Sequence, residues 1–304
     1  MFKLNDYADI KKLLNDQIYA DSKHLIVNRF ETMSCRVSEL EDSMREIGSD
    51  DKDWCTKVNI LKREIVDEKI RCARYVIKYD KKYITLDNAH TLGLFRSVIC
   101  DGVGNIICFS PPKSISIERF RENTVLGDCE VLEFSEGTMV NMYYDAIEGG
   151  WELATRSNIG ARCKFYKDTP NDFRRMFLEA FTRLSLGFSD FNAKYCYSFV
   201  LQHPDNQIVV PYEQANIIHT NTYECTGAIV RERVLHIKPA LLPFVKEYNV
   251  ENPSEDIDDI IQGISSGIGI DYLLQGIVVC DRITGLRYKV RNPNYDYVKR
   301  LKGN

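Results

Sequence analysis

The stretch VLEFSEGTMVNMYYD, residues Val131 to Asp145, predicts a β strand, a sharp glycine turn and a second β strand. Glu136-Gly137 marks the turn, and an acidic residue before a glycine is a pair often found in active sites. Phe134, two residues earlier, is apolar and offers no nucleophile, acid or base. The stretch therefore indicates either a functional site or the remains of one.

Length and composition place the chain among ordinary globular proteins. It has 304 residues, of which 44% are apolar and 28% are charged, and its net charge is −4. This length allows one large domain or two modest ones, and the charge gives no bulk sign of a nucleic-acid-binding protein. No apolar run reaches the roughly 18–20 residues of a membrane span, and the first residues lack a secretory signal pattern. We therefore expect no membrane association.

The ten cysteines are scattered singly, without a C-x-x-C pair. Zinc sites built on such pairs are therefore not predicted, and the sequence assigns no metal ligand. Isolated cysteines are typical of reduced and mostly buried thiols. The sequence accordingly predicts a cytoplasmic protein in a reducing compartment.

Two regions differ in their sequence pattern. Residues 1–75 are charged and helix-prone, and they predict a helix-rich N-terminal segment that packs on the rest or binds a partner protein. Within it, Val58, Leu61, Ile65 and Ile70 recur near helical spacing. The remainder has runs of strands with few helices between them, which favours an α+β fold with antiparallel sheets.

Turn and cap residues position the individual elements of the second region. Strand pairs are predicted over 74–86, 95–109, 140–156, 195–212 and 273–292. A helix is predicted over 171–184, with Asn171 or Asp172 as its cap, and a shorter helix over 254–264. Neither a G-x-x-x-x-G-K-[ST] loop nor a G-x-G-x-x-G loop occurs, so these phosphate-binding loops are absent from the sequence.

An ordered series of segments, from about residue 95 onward, resembles one family. The segments are FRSVICDGVGNIICFSPPKS (95–114), EFSEGTM (133–139), WELATRSNIGA (151–161), YSFVLQHPDNQIVVPY (197–212), LLQGIVV (273–279) and YKVRNPNYDYVKRLKGN (288–304). In this order they resemble the adenylation domain of bacteriophage-type ATP-dependent RNA ligases, in the covalent nucleotidyltransferase superfamily. The combination looks most like degenerate ligase-related proteins of large DNA viruses, for which the compartment would be the host cytoplasm.

This resemblance implies a nucleotidyltransferase fold over residues 76–304. Family ligases carry a further C-terminal domain that helps to hold RNA, and we predict that this chain has no such accessory domain. The family attaches AMP to a lysine, whose amine must lose its proton before it attacks phosphorus. Carboxylates hold the divalent metal, and two late cations hold phosphate.

The chain departs from the family pattern where the covalent chemistry occurs. The lysine position carries Phe134, and a phenyl ring forms no phosphoramide bond. Two acidic positions carry Val200 and Gln275, neither of which is a good ligand for a hard cation. We therefore predict no catalytic residue and no metal site.

Other family positions are retained. The candidate nucleotide- or RNA-binding residues are Arg96, Lys113, Phe134, Glu136, Gly137, Arg156, Gln275, Lys289 and Arg291. Simpler roles stay open for several of them: Arg96 and Arg156 as members of surface pairs, Glu136 as an acceptor for backbone donors, and Gly137 for its dihedral angles alone. Arg287, Lys299, Arg300 and Lys302 extend the basic region around Lys289 and Arg291, with Tyr288, Tyr295 and Tyr297 interleaved for base stacking or packing.

Three functions remain open on the sequence. The first is an RNA-ligase-like protein that binds RNA or a nucleotide without self-adenylation; by analogy with the superfamily the RNA ligand is an end, capped or uncapped. This first function requires no cofactor. The second is an active ATP-dependent RNA ligase in which a lysine at another position is the nucleophile. Lys113 is the first candidate and Lys164 the second, and this enzyme would use ATP and Mg²⁺. The third is a non-catalytic structural or assembly protein.

Overall fold

Three antiparallel sheets and four α helices make up the described part of the molecule. The computed structural model describes residues 2–3, 33–35, 58–66, 71–85, 89, 92–101, 105–166, 168–226, 229–235, 237–238 and 240–303. Within these ranges strands predominate and all sheet neighbours are antiparallel, so the predicted α+β class is confirmed. No helix in these ranges has the length and apolarity to cross a bilayer.

The elements follow the chain in a simple order. The strands are β1 Phe2–Lys3, β2 Met33–Cys35, β3 Val58–Val66, β4 Arg71–Tyr79, β5 Val98–Cys100, β6 Ile106–Phe109, β7 Cys129–Glu133, β8 Thr138–Asp145, β9 Gly150–Ala154, β10 Tyr195–Gln202, β11 Asn216–Thr226, β12 Ile229–Arg233, β13 Glu247–Tyr248, β14 Gly276–Asp281 and β15 Arg287–Arg291. The helices are α1 Ile117–Asn123, α2 Phe173–Arg183, α3 Pro253–Ser266 and α4 Pro293–Leu301. Asp172 caps α2 as predicted, because its carboxylate accepts a hydrogen bond from the Arg175 backbone N–H at 2.8 Å.

The strands form three sheets. A six-stranded sheet, the central sheet, has the order β1-β12-β11-β10-β8-β9. A four-stranded sheet, the lateral sheet, has the order β13-β7-β14-β15. A five-stranded sheet, the N-terminal sheet, has the order β2-β3-β4-β5-β6. The strand pairs β5–β6, β8–β9 and β14–β15 confirm three predicted hairpins.

The N-terminal sheet corrects the predicted helix near residues 58–70. Val58–Val66 and Arg71–Tyr79 are β strands that pair antiparallel along their whole length. The stretch is rich in Val and Ile, whose branched Cβ atoms favour strands, and its pairing outweighs the approximate helical spacing. The predicted domain boundary at residue 75 also falls inside β4. The other predicted helices of segment 1–75 lie outside the described residues.

Two further predicted strands are absent where the structure describes the chain. Residues 83–85 do not extend into a partner for β4, which pairs with β3 and β5 instead. Residues 207–215 are irregular, and the partner of β10 begins only at Asn216. In both places the turn was predicted from local residues, but pairing was decided by a strand more distant in sequence.

Helices cover one face of the central sheet and one face of the lateral sheet. On the central sheet, Met176, Phe177 and Phe181 of α2 pack with the apolar side chains of β8 and β10. On the lateral sheet, Phe120 of α1 and Ile257 of α3 belong to the core beneath β7, β14 and β15. The opposite face of the lateral sheet is therefore free to face the central sheet.

A buried ion pair joins the N-terminal sheet to the central sheet. Arg74 of β4 donates from Nε to Oδ2 of Asp145 at 2.6 Å, and its Nη2 donates to the other carboxylate oxygen. The two side chains are 2% and 1% exposed. Although burial opposes the charge of Asp145, the bonds from Arg74 hold the pKa of that carboxyl below its ordinary value. Asp145 also accepts from the backbone N–H groups of Ile147 and Glu148.

We predict that Asp145→Asn destabilises the protein by about 3–5 kcal/mol, because it removes the carboxylate charge that pairs with the buried guanidinium of Arg74. Urea unfolding at pH 7 gives this cost. Since the folded pKa of Asp145 is lowered, the stability it contributes is present above its ordinary pKa of 3.8 and is lost as pH falls through the folded pKa.

Asp258→Asn is the matched control, because Asp258 pairs with Arg121 at an exposed site with side chains 44% and 51% exposed. We expect it to cost no more than about 1 kcal/mol. The double variant Arg74→Met/Asp145→Asn should cost less than the sum of its single variants. Equal costs for Asp145→Asn and Asp258→Asn would contradict the role given to the buried pair.

Candidate functional site

A cavity of about 290 Å³ lies between the central sheet and the free face of the lateral sheet. Met139, Val200, Thr220 and Asn221 line it from the central sheet. Leu132, Glu133, Val278, Cys280, Arg287, Lys289 and Arg291 line it from the lateral sheet, and Arg96, Phe134, Ser135, Gly137, Val245 and Gln275 complete the wall. The cavity thus brings together six of the nine predicted binding residues and all three substituted positions.

The segment between β7 and β8 forms one edge of this cavity. The predicted strand–turn–strand is present, but β7 and β8 belong to different sheets and do not pair with each other. Gly137 has φ +147°, and a Cβ atom there would lie 2.4 Å from the Leu201 carbonyl oxygen. Glycine is therefore required at this crossing by backbone conformation and by close approach. The Phe134 backbone N–H donates to the Gly276 carbonyl at 2.9 Å, which fixes the start of the crossing.

Alternation along β15 places three cations on the cavity side. Arg287, Lys289 and Arg291 all line the cavity, whereas Tyr288 and Val290 pack in the core on the other face. Strand β15 pairs with β14 without a shift in register as far as the residue pair Gly276–Arg291. A Cβ atom at Gly276, whose φ is +147°, would lie 2.1 Å from the Val290 carbonyl oxygen. Any larger residue at Gly276 would shift β15 and its cations.

The Phe134 ring occupies the cavity next to these cations. Lys289 Nζ lies 3.8 Å from the ring centroid, and Arg291 Cζ lies 5.8 Å from it. Phe134 also packs against Leu132, Val245 and Val278. The ring therefore fills the place where the resemblance implies a nucleophile, and its π face stabilises the Lys289 ammonium.

Positive charge in the cavity is poorly compensated. Within the described part of the chain, Arg96, Arg287 and Lys289 form no ion pair, while Arg291 pairs with Asp296 at 3.2 Å. Glu133 carries the only carboxylate among the described lining residues. Burial first, and then the nearby cations Arg96, Arg287 and Arg291, lower the pKa of Lys289 well below its ordinary value. Burial also lowers the pKa of Arg96.

The lining does not suit a divalent metal. Val200 and Gln275 both line the cavity, where the resemblance implies carboxylates. Mg²⁺ needs an octahedral shell of oxygen ligands, usually with one or two carboxylates, and here Glu133 faces several cations. No group of three His, Cys, Asp or Glu side chains in the described residues is arranged to hold a metal ion.

Glu136 points away from the cavity and holds a loop. Its carboxylate accepts hydrogen bonds from the backbone N–H groups of Val209 at 2.9 Å and Val210 at 3.1 Å. The Tyr212 hydroxyl donates to the Glu136 carbonyl at 3.0 Å. Burial, followed by the charge of Glu136, raises the pKa of Tyr212. Glu136 is 3% exposed, so the structure gives it the simpler role of satisfying backbone donors.

Arg156 and Lys113 also lie outside the cavity lining. Arg156 stacks on Tyr79 with Cζ 4.6 Å from the ring centroid, and it donates to the backbone carbonyls of Tyr79 and Arg96. It therefore supports the segment that carries Arg96. Lys113 lines a separate depression with Ile84 and Ala89.

The interleaved tyrosines have separate environments. Tyr295 is fully buried, and Tyr288 packs near Phe120 with ring centroids 6.3 Å apart. Tyr297 is 60% exposed on α4 and is the one member of the three that is free to stack on a base.

Sequence reasoning missed several lining residues. Arg287 was placed only in the general basic region, although its period-two spacing with Lys289 and Arg291 was a usable signal. Thr220 and Asn221 gave no signal, because they reach the cavity only through the pairing of β11 with β10.

Comparison with known proteins gives a partial match. No protein-family model matches the chain. A stretch of 97 residues is 34% identical to an RNA ligase of Rhodothermus phage RM378, and it covers 29% of this chain and 22% of the phage protein. This match supports a relationship with RNA ligases.

Solved structures that resemble the chain include two forms of an archaeal ATP-dependent RNA ligase. One form of an archaeal ATP-dependent RNA ligase has a TM-score of 0.45 and 12% identity over 77% of this chain and 59% of its own. A second form has a TM-score of 0.42 and 16% identity over 83% of this chain and 60% of its own. The chain therefore spans about three fifths of these archaeal proteins.

We predict that Glu136→Gln destabilises the protein by about 1–3 kcal/mol, because an amide NH₂ would replace an acceptor that faces two buried N–H groups. Urea unfolding provides the measurement, and Glu213→Gln, an exposed carboxylate near the same loop, is the control with an expected change within about 0.5 kcal/mol. Unchanged stability together with weakened ligand binding would assign Glu136 to the site instead of the loop.

Proposed function

We propose that the protein is an RNA-ligase-like, nucleotidyltransferase-fold protein that binds RNA or a nucleotide in this cavity without forming lysyl-AMP. The observation that carries the proposal is the contact between Phe134 and Lys289, 3.8 Å from ring centroid to Nζ, in a cavity with several cations and one carboxylate. The ring takes the nucleophile position, and the cations that suit phosphate are retained. Such a protein needs no metal and no ATP for its binding function.

The cavity chemistry favours binding over covalent transfer. Lysyl-AMP formation needs an amine aligned with the α-phosphorus and a metal that neutralises the phosphate charge. Lys289 is the only lysine among the described lining residues, and its ammonium is directed onto the Phe134 ring. Without carboxylates at Val200 and Gln275, the cavity has poor ligands for the metal that this reaction would require.

RNA is favoured over a free nucleotide by the surface beside the cavity. The helix α4 follows β15 directly and carries the basic side chains Lys299 and Arg300, with Lys302 at its end. Tyr297 is exposed on the same helix. Cations that track a phosphate backbone next to an aromatic platform are the usual means of holding single-stranded nucleic acid. An RNA end, capped or uncapped, would place its terminal phosphates in the cavity and its chain along α4.

The active-ligase alternative rests on a relocated lysine. Lys113 is the predicted substitute, but it lines a different depression from Phe134 and Lys289. The assembly-protein alternative leaves the unpaired cations of the cavity without a function. Degenerate viral character and a cytoplasmic location remain part of the proposal through the resemblance, as does a partner protein for the N-terminal segment.

We predict that Lys289→Ala/Arg291→Ala weakens binding of single-stranded RNA and flattens its salt dependence. Loss of two phosphate contacts should reduce the slope of log K against log salt by about 1.4. Fluorescence anisotropy over a salt series measures the slope. The control Arg121→Ala/Arg282→Ala removes the same charge from exposed, ion-paired sites and should leave the slope unchanged. An identical slope for wild type and Lys289→Ala/Arg291→Ala would refute the phosphate contacts.

We also predict that incubation with labelled ATP or GTP and Mg²⁺ or Mn²⁺ leaves no covalent label on the wild-type protein after denaturing electrophoresis. Phe134→Lys should also remain unlabelled, because Val200 and Gln275 still provide no carboxylate for the metal. A wild-type adduct that disappears in Lys113→Ala would establish the relocated-lysine ligase and overturn the proposed function.

A further inference from the structure

We propose that Arg287, together with Arg96 and Lys289, binds a di- or triphosphate group directly, without a divalent cation. The proposal rests on the proposed function and names the part of the ligand that occupies the cavity. Arg287 is the new element, because it lies outside the sequence pattern that the resemblance supplies. The polyphosphate belongs either to a free nucleotide or to an RNA 5′ end, and the two sources share the same chemistry.

Arg287 is a buried cation directed into the cavity. It is 8% exposed and lies opposite Cys280 at the start of β15. Its Nε–H has no hydrogen-bond partner in the described structure, and no ion pair is formed by its guanidinium. Buried guanidinium groups normally have carboxylate or carbonyl partners, since an unpaired buried charge is costly. Although burial opposes its charge, the neighbouring Cys280, Tyr223, Glu232 and Glu130 raise the pKa of Arg287, so the group stays charged and its open Nε–H suits an anionic ligand.

The neighbouring cations Arg96 and Lys289 also lack carboxylate partners among the described residues. Arg96 has one long contact within the protein, from Nη1 to the Pro111 carbonyl at 3.5 Å. Among the described residues, Lys289 contacts the Phe134 ring and forms no ion pair, and Glu133 is the single carboxylate in the lining. The repulsion within this group is relieved when an anion enters, and the planar forks of two arginines suit phosphate oxygens.

The charge and volume suit a polyphosphate. A single phosphate monoester carries about −1.5 to −2 charge at pH 7, which is less than the combined positive charge of Arg96, Arg287 and Lys289 once an anion has restored the charged form of Lys289. A di- or triphosphate comes closer to that sum. The cavity of about 290 Å³ lies at the lower end of the range of about 300–1,000 Å³ for small-molecule sites. It therefore suits a phosphate chain, with the nucleoside or RNA outside.

Direct binding replaces the usual role of the metal. Mg²⁺ at phosphate sites is held by carboxylates as well as by the phosphates, and its charge offsets theirs. Here the arginines provide the positive charge, and a further divalent cation would be repelled by them. The polyphosphate is therefore expected to bind equally well in the presence of a chelator.

Binding should also take up a proton. Lys289 faces Arg96 from the adjoining loop, Arg287 and Arg291 from its own strand, and Cys280 from β14, and its pKa is lowered in the empty cavity. An anion beside Nζ restores the charged form. Affinity for polyphosphate should consequently fall as pH rises through the lowered pKa of Lys289, and calorimetry in buffers of different ionisation enthalpy should reveal the proton uptake.

The test is calorimetry of the full chain with inorganic tripolyphosphate and with pyrophosphate in EDTA. We expect one-to-one binding by the wild type and at least tenfold weaker binding by Arg287→Met. Arg282→Met is the matched control; its side chain is 56% exposed and pairs with Glu130 and Glu247, so affinity should not change.

Binding that requires added Mg²⁺, or an absence of tripolyphosphate binding, would overturn the inference. If Arg287→Met does not fold, Arg96→Met gives the same readout from the opposite wall. RNA oligonucleotides with a 5′-triphosphate or a 5′-hydroxyl separate this inference from the proposed function. Equal binding of both oligonucleotides would refute the polyphosphate site and leave RNA binding intact. Binding of tripolyphosphate and ATP but of neither RNA would support the site and refute RNA as the ligand.

Discussion

The crossing of the chain from the lateral sheet to the central sheet at residues 134–137 is the constraint on which the cavity depends. Gly137 has no room for a Cβ atom against the Leu201 carbonyl, so β8 and β10 approach as closely as their backbones allow. The hydrogen bond from Phe134 N–H to the Gly276 carbonyl ties the same segment to β14. Because this segment contacts β14 at Phe134 and β10 at Gly137, the side chain at position 134 lies between the two sheets.

The retention of Glu136-Gly137 can be explained without catalysis. Glu136 accepts hydrogen bonds from the backbone N–H groups of Val209 and Val210. These two residues lie in an irregular loop and are not part of a strand. The removal of this carboxylate would leave buried donors unsatisfied whether or not the protein catalyses a reaction. The Glu136-Gly137 turn therefore has a structural role that does not depend on a nucleophile at position 134.

The sequence predicted those elements whose signals are local. The hairpins at 95–109 and 140–156 and the Asp172 cap depend on a few neighbouring residues, and the structure contains them. The helix predicted from the sequence at Val58–Val66 was wrong, because the pairing of these nine residues with β4 outweighs their approximate helical spacing. Six of the candidate binding residues line one cavity, because the resemblance supplied long-range order that local patterns lack. Glu136, Lys113 and Arg156 lie outside its lining, since sequence gives the turn but not the direction of a side chain.

The three substitutions act together on the charge of the cavity. Relative to the pattern that the resemblance implies, Phe134 removes one positive charge, while Val200 and Gln275 remove two negative charges. The protein side therefore becomes more positive by one unit, and the carboxylates that would hold a divalent cation are lost. The lining is thereby left with Arg96, Arg287 and Lys289, which form no ion pair within the described residues. Relative to the implied pattern, the same three substitutions therefore remove groups that the covalent chemistry would need and increase the attraction of the proposed site for phosphate.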